Sequence, residues 1–417
     1  MKNLRRVWGM LGAGLLYAGA AVGVSHLVQS TRAGAEYGGA LLWAVLAANV
    51  AKHPFFAFGP RYAIATGRSL LEGYWRLGKW AYGIFMAITD GTMFTIQAAV
   101  TLVPAGLLGL GGGGEVNLYA FGLLLGSAAL LIGGGFDWLN RTMKGIILTL
   151  TVSTMVALAA AAFHFRPEQI QVAKAFDWQN PEDITFLIAL MGWMPAPIDL
   201  AVWHSVWTLE AKQENPALTP AAVALDFEVG YWGTTVLAVM FLGLGALSLY
   251  GRGETLPNQS IPFAAKLLTL YTQNIGAWSF PVIAIAAFAT MWSTTLTVLD
   301  AYARTTLNGL MLVWPALGTA PPRQQKRWFA GLVILTLVGA QGILTFAVGS
   351  MRSLIEFATI VSFVTAPVLA GLNFWVMNRA DVPPAFRPNR WETGLAGLGG
   401  LFLVGFTGIY LRSLGSF

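Results

Sequence analysis

Residues 187–207 read LIALMGWMPAPIDLAVWHSVW, and Pro195 and Pro197 interrupt this otherwise apolar stretch. A proline inside a helix removes a backbone hydrogen bond, and its ring clashes with the preceding turn. The pair therefore predicts that the helix unwinds near Ala196. Unwound backbone at membrane depth occurs only where it lines a cavity or is covered by protein. The stretch predicts a broken transmembrane helix beside an internal site; the alternative is a kinked helix that packs against its neighbours without a site.

The composition of the chain excludes a soluble globular protein. Of the 417 residues, 56% are hydrophobic and 11% are charged, and the mean hydropathy is +0.63, whereas about a quarter of the residues are charged in ordinary soluble domains. The 48 glycines and 16 tryptophans are typical of helical membrane proteins, in which small residues let helices approach and Trp lies at the interfaces. Because the chain has no Cys, disulfides, thiolate metal sites and cysteine nucleophiles are excluded.

Eleven apolar stretches are long enough to span a bilayer. Their approximate limits are 8–31, 38–62, 80–104, 117–136, 143–164, 184–208, 227–250, 276–304, 328–350, 354–378 and 393–413. Outside these spans, the polar residues 165–183 predict an external loop with a short amphipathic piece. Residues 261–274 predict either a helix over the outer mouth or a solvated loop.

The first span is also interrupted, at Gly23-Val24-Ser25-His26. Interruptions in the first and sixth spans are what an inverted repeat of five plus five helices produces, with the eleventh helix at the periphery. We therefore expect an all-α polytopic membrane protein with helices 1 and 6 broken. The expected divisions are a first repeat at 1–164, an external loop at 165–183, a second repeat at 184–378 and a peripheral helix at 379–417.

The distribution of basic residues predicts the orientation of the chain. Most of the 25 lysines and arginines fall on the side of the predicted membrane that holds the N-terminus. By the positive-inside rule this side is cytoplasmic, and an odd number of spans places the C-terminus outside. The net charge of +6 is therefore a topology signal and does not indicate nucleic-acid binding. We expect an integral protein of a bacterial inner membrane.

Three segments, in the same order along the chain, carry a resemblance to a known family. They are Gly12–Gly73, which is similar to the family's first two helices, Ile88-Thr89-Asp90, which is similar to a third-helix segment with a membrane-embedded Asp, and Met194-Pro195, which is similar to a sixth-helix Met-Pro. On these segments the chain resembles the Nramp divalent-metal transporters, which have the LeuT fold. The resemblance implies a LeuT-type inverted repeat with substrate bound between helices 1 and 6.

The sequence departs from this family at the metal site itself. The family's Asp-Pro-Gly-Asn of helix 1 aligns with Gly23-Val24-Ser25-His26, its His-Asn after Met-Pro aligns with Ala196-Pro197, and its third-helix Glu aligns with Met93. Met194 remains as a weak metal ligand, and a thioether alone cannot replace the hydration of Mn²⁺ or Fe²⁺. The predicted substrate-binding residues are Gly23, Ser25, His26, Met194, Ala196 and Asp199.

Polar residues inside the apolar spans are candidates for ion coupling. Asp90 and His26 are predicted to carry protons, with structural hydrogen bonding as the alternative for both. Thr294 belongs to a run of hydroxyls in span eight that suits a sodium ion, although hydroxyls also bond their own helix backbone. For Asp199 the alternative is a cap on the second half of helix 6.

Four further polar residues of the predicted spans are candidates whose roles the sequence leaves open. Lys52 is unusual within span two, and the sequence leaves open whether it snorkels or pairs with Glu356. Asp300 and Arg304 are four residues apart, which places them on one helix face as a possible ion pair. His204 is a further candidate in the second half of helix 6.

No catalytic motif, phosphate-binding motif or paired carboxylate accompanies these residues, so an enzyme and a primary pump are disfavoured. The sequence predicts a secondary-active transporter with H⁺ or Na⁺ as the coupling ion and with no cofactor. Its expected partners are a small solute or ion and the lipid bilayer, with no nucleic acid and no obligate protein partner. The substrate is a divalent cation according to the resemblance and a small organic, anionic or neutral solute according to the altered site. A receptor that kept the fold and lost transport is the alternative outside the transporter class.

Overall fold

The computed structural model describes residues 12–112, 115–133, 136–165, 168, 170, 174–346 and 349–414. All regular structure in these ranges is helical. Every predicted span coincides with a helix or with a pair of half-helices, which we number by span. The unbroken ones are α2 (Leu42–Thr66), α3 (Lys79–Gly112), α4 (Val116–Gly133), α5 (Phe136–His164), α7 (Pro220–Leu249), α8 (Phe280–Val313), α9 (Pro322–Phe346), α10 (Met351–Met377) and α11 (Arg390–Leu414).

The first and sixth helices are broken, as the sequence predicts. The first consists of α1a (Ala13–Ala21) and α1b, which begins as a π-helical segment at Ser25–Ser30 and continues at Thr31–Tyr37. The sixth consists of α6a (Pro181–Gly192) and α6b (Leu200–Glu214). The intervening residues include both prolines of the opening stretch, which cannot donate the backbone hydrogen bonds that a continuous helix needs.

Shorter helices connect the long ones. A helix at Leu70–Leu77 begins with a capping box between Ser69 and Glu72, and another occupies Ser260–Ile275. The second confirms a helix, rather than a loop, at 261–274. Part of the predicted external loop at 165–183 lies outside the described residues.

Seven of the described helices, α3, α4 and α7 to α11, are long and apolar enough to cross a membrane unaided. The remaining spans are broken, as in α1 and α6, or contain polar residues, as does α2 with Lys52 and His53. This pattern agrees with a polytopic all-α membrane protein. The division into two repeats and a peripheral helix stays a prediction.

Close helix approach holds the broken helices in the core. α1b packs against α7, where a Cβ at Gly34 would collide with the carbonyl of Leu242 and a Cβ at Gly245 would collide with the carbonyl of Thr31. Small residues on both helices therefore allow backbone contact, as is usual in membrane bundles. α6a packs against α10, and α6b packs against α2.

The two breaks lie next to each other. α1a packs against α6b, and the π-helical segment of α1b packs against α6a. On the α1a side of this contact, the ring of Tyr17 stacks on that of His204 with 5.5 Å between centroids. The unwound residues of both helices are thereby placed at the centre of the bundle.

Candidate functional site

The break in helix 1 is held against α8 by Thr294. Its Oγ1 lies 3.1 Å from the carbonyl oxygens of both Gly19 and Val22, and 3.3 Å from that of Thr290. One hydroxyl proton can serve only one of these three acceptors. The hydroxyl oxygen and the three carbonyl oxygens therefore share a single hydroxyl proton. The lone pairs that this proton leaves free could bind a small cation.

Gly23 leaves no space for a side chain in this break. A Cβ at this position would lie 2.7 Å from both Cγ2 and Oγ1 of Thr294. α8 therefore fills the place where the resemblance implies a metal-binding carboxylate. A larger residue at position 23 would need Thr294 to move.

Ser25 and His26 form a hydrogen-bonded chain from helix 1 to α7. Ser25 Oγ donates to the carbonyl of Ala21 (2.9 Å) and lies 2.7 Å from His26 Nδ1, while His26 Nε2 lies 3.0 Å from the carbonyl of Thr234. Both side chains are buried. His26 thus faces α7 rather than the break in helix 6.

The hydrogen-bonding capacity of its neighbours fixes one of the two ring hydrogens of His26. The carbonyl of Thr234 can only accept, so Nε2 carries a hydrogen. The single hydroxyl proton of Ser25 can go either to Nδ1 or to the carbonyl of Ala21, which also accepts from the backbone N–H of Gly23 at 3.0 Å. A neutral ring therefore fits the chain when Ser25 donates to Nδ1, and an imidazolium fits it when Ser25 donates to Ala21.

In the break of helix 6, the buried ammonium of Lys52 is bound to backbone carbonyls. Its Nζ donates to the carbonyls of Met191 (2.7 Å), Gly192 (2.8 Å) and Ala196 (3.4 Å). Two of these belong to the last turn of α6a, where the helix dipole favours a cation. The Phe363 ring, 5.8 Å from Nζ, adds a cation–π contact.

Both alternatives that the sequence offered for Lys52 are wrong. The side chain is fully buried and does not snorkel, and Glu356 pairs instead with Arg352 at 2.7 Å. Lys52 is therefore a site residue that sequence reasoning left unassigned. The available signal was a lysine in an apolar span together with a broken helix whose carbonyls need a donor.

The other predicted residues of helix 6 share the break but have separate surroundings. Met194 is fully buried, and Ala196 contributes its carbonyl to Lys52. Asp199 is 4% exposed and occupies the N-cap position of α6b, but its side chain makes no capping hydrogen bond. The capping alternative for Asp199 therefore does not hold.

Asp90 lies apart from the two breaks, between α3 and α8. Its Oδ1 accepts a hydrogen bond from Thr306 at 2.9 Å, so its partner is on another helix and not among the threonines of α3. The predicted pair of Asp300 and Arg304 is confirmed at 2.7 Å, and Arg304 also contacts Glu210 of α6b at 3.3 Å. No group of three or more His, Cys, Asp or Glu side chains within the described ranges could hold a metal ion.

Comparison with known proteins gives a family for this architecture. The model of the family described as "Nramp: Natural resistance-associated macrophage protein-like" matches residues 14–413. An uncharacterized protein of Pasteurella multocida is 35% identical over 408 residues, covering 96% of this chain and 91% of that relative. The divalent metal cation transporter MntH of Mycobacterium tuberculosis is 24% identical over 379 residues, covering 87% of this chain and 81% of MntH.

Solved structures share the fold. The Eremococcus coleocola manganese transporter, in complex with an aromatic bis-isothiourea substituted compound, superposes with a TM-score of 0.72 at 14% identity, covering 99% of this chain and 87% of that one. MhsT in complex with L-phenylalanine superposes with a TM-score of 0.67 at 14% identity, covering 96% and 98%. The LeuT-type fold expected from the sequence is thereby confirmed.

Proposed function

Because the chain belongs to the Nramp family of membrane transporters, we propose that it is a secondary-active transporter whose substrate is a small organic anion rather than a divalent metal ion. Alternating access would operate at the adjacent breaks of helices 1 and 6, where LeuT-type transporters bind substrate. The predicted substrate-binding set at these breaks is Gly23, Ser25, His26, Met194, Ala196 and Asp199.

The ammonium of Lys52 is the observation that carries this proposal. The carbonyls at the end of α6a are oxygen atoms that a cationic substrate could use, and Lys52 already donates to them. A divalent ion at this break would also be repelled by the buried ammonium, since charges interact strongly in a medium of low dielectric constant. The same positive charge attracts an anion.

The residues around the breaks also offer few ligands for a divalent metal ion. Gly23 has no side-chain ligand atom, Ala196 offers a carbonyl that Lys52 already uses, and Met194 offers only a soft thioether. Divalent first-row metals need anionic or imidazole ligands to replace their hydration. His26 is the imidazole in the break of helix 1, and both of its nitrogens are in hydrogen bonds.

We propose that the proton is the coupling ion and that it is held on His26. The Ser25–His26 chain links helix 1 to α7, and the Ser25 hydroxyl can donate either to Nδ1 of His26 or to the carbonyl of Ala21. A second ring hydrogen on His26 would turn the Ser25 hydroxyl from Nδ1 to Ala21, so gain or loss of this proton would rearrange the hydrogen bonds inside the break of helix 1. Asp90, bonded to Thr306 across α3 and α8, is the proposed second proton site.

Sodium is the second candidate for the coupling ion, because of the four oxygens that converge at Thr294. A small hard cation prefers such oxygen ligands. Replacing the proton gradient by a sodium gradient in the same liposomes separates the two ions.

The distribution of basic residues along the chain also supports a proposal for its orientation and membrane location. We propose a bacterial inner membrane with a cytoplasmic N-terminus and an external C-terminus, on the basis of the distribution of Lys and Arg. Proteolysis or labelling of the two ends in intact cells tests this orientation.

A thermal-shift screen of the purified protein tests the substrate class. We expect a small carboxylate to raise the melting temperature, because a ligand that binds only the native state stabilises it. Mn²⁺ and Mg²⁺ should have no effect, and calorimetry with Mn²⁺ should show no micromolar site. A tight Mn²⁺ site that is abolished by Met194→Ala would contradict the proposal and make His26 the substitute ligand. A receptor without transport would bind the solute but show no uptake in proteoliposomes.

A further inference from the structure

A small cavity lies between α3, the end of the break in helix 6, and α10. Its polar lining consists of Asp199, Thr92, Ser362 and Thr365, and the rest of the lining is apolar. Its size is about that of a single water molecule or small ion. The cavity is separate from the contacts that Lys52, His26 and Thr294 make at the two breaks.

Asp199 brings an unpartnered oxygen to this cavity. The residue is 4% exposed, and its Oδ1 has no hydrogen-bond partner. Among the described residues, no ion pair includes Asp199. A buried polar atom without a partner is costly, so such an atom beside a cavity points to a missing ligand.

The three hydroxyls of the cavity have already used their protons. Thr92 Oγ1 donates to the carbonyl of Ile88 (2.8 Å), and Thr365 Oγ1 donates to that of Val361 (2.9 Å). Ser362 Oγ donates to Ala358 (2.9 Å) and accepts from Trp193 Nε1 (2.8 Å). Each hydroxyl oxygen therefore retains at least one lone pair and no free hydrogen. This lining suits a cation and would repel an anion.

The charge of the lining selects a monovalent cation. Asp199 is the one acid among the described residues that line the cavity, so a monovalent ion would be neutralised whereas a divalent ion would keep an uncompensated buried charge. The hard oxygen ligands and the small size of the cavity favour Na⁺ over softer or larger ions. We propose that this cavity binds Na⁺, with Asp199 as the charged ligand and the hydroxyls of Thr92, Ser362 and Thr365 as neutral ligands.

The occupied site would connect three helices. Asp199 begins α6b, Thr92 lies on α3, and Ser362 and Thr365 lie on α10. An ion shared among these residues would fix the inner half of helix 6 against the surrounding helices. The proposal goes beyond the proposed function, because it depends neither on the transported solute nor on the coupling ion.

Binding of ²²Na⁺ to the purified full-length protein, measured by equilibrium dialysis, tests the site without any transport assay. We expect saturable binding in the wild type and a loss of affinity of about tenfold or more in Asp199→Asn, since even indirect partners of a bound ion contribute tenfold or more. Thr365→Val should weaken binding severalfold. Its matched control is Thr359→Val on the same helix, whose hydroxyl bonds only its own helix backbone and which should bind like the wild type.

Three results would overturn the proposal. They are the absence of saturable Na⁺ binding in the wild type, binding that survives Asp199→Asn but is lost in Thr294→Ala, and equal effects of Thr365→Val and Thr359→Val. The second would place the ion at the break in helix 1. If Asp199→Asn fails to fold, the pair of threonine variants still decides the question, because valine keeps the volume of each side chain while removing its oxygen.

Discussion

Lys52→Met is expected to lower the free energy of unfolding by roughly 3 kcal/mol, because charge-assisted hydrogen bonds to buried carbonyls are lost. The ammonium donates to the carbonyls of Met191 and Gly192 at 2.7 and 2.8 Å, whereas the backbone N–H of Met194 reaches the Met191 carbonyl only at 3.3 Å. Methionine fills a similar volume, so the loss reports on the ammonium rather than on a cavity. The melting temperature in detergent, followed by intrinsic fluorescence, measures the effect.

The matched control is Lys326→Met at an exposed position of α9, which should melt within a degree or so of the wild type, as is usual for surface substitutions. Lys52→Arg should recover little stability, since the planar guanidinium is larger and needs a different geometry. A Lys52→Met protein that melts like the wild type would show that the break is satisfied in another way. The charge argument against divalent metals would then lose its support.

The breaks in helices 1 and 6 were predictable because their causes are local. Pro195 and Pro197 lack the N–H that a helix needs, and this holds in any surroundings. Gly23 and the polar residues after it likewise mark a weak point within an apolar span. The length of each apolar stretch similarly predicts the number of spans.

The partners of the polar side chains were not predictable, because they lie far away in the sequence. Lys52 meets carbonyls about 140 positions further on, and His26 meets Thr234. The attraction of an ammonium to a carboxylate makes Glu356 the natural expectation for Lys52. In the bundle, the unwound backbone of helix 6 offers better placed acceptors, and Glu356 is already paired with Arg352.

Asp300 and Asp199 show the same difference between local and distant partners. The i,i+4 spacing of Asp300 and Arg304 predicts their ion pair, since the helix alone brings them together. Asp199 faces oxygen atoms from α3 and α10, and only the packing of three helices reveals them. Local rules therefore predict the breaks and the helical pairs, whereas the chemistry of the site depends on tertiary contacts.

The protonation of His26 can be observed directly, since the chain has only four histidines. In ¹⁵N-histidine NMR of the purified protein, we expect a ring with hydrogen on Nε2 that gains a second ring hydrogen as the pH falls, and whose signals disappear in His26→Gln. The exposed His164 supplies the matched substitution, His164→Gln, which should leave this signal in place. A His26 ring without hydrogen on Nε2 would contradict the hydrogen-bond argument, and a ring whose protonation does not change with pH would contradict its role as the proton site.

In proteoliposomes, His26→Gln is expected to abolish uptake driven by an inward proton gradient, tested with the solute identified in the thermal-shift screen. Glutamine has both a donor and an acceptor and can bridge Ser25 and Thr234, but it cannot gain or lose a proton. The variant should therefore still bind the solute, as its thermal shift would show, while net accumulation falls by about tenfold or more, since a driving force worth ~1.4 kcal/mol is tenfold in an equilibrium.

His164→Gln should accumulate solute like the wild type, and Asp90→Asn should reduce accumulation if Asp90 belongs to the same proton route. A different result would contradict proton coupling at His26. If accumulation persists in both His26→Gln and Asp90→Asn, and if Thr294→Ala abolishes accumulation under a sodium gradient, the coupling ion is Na⁺ bound by the oxygens at the break of helix 1.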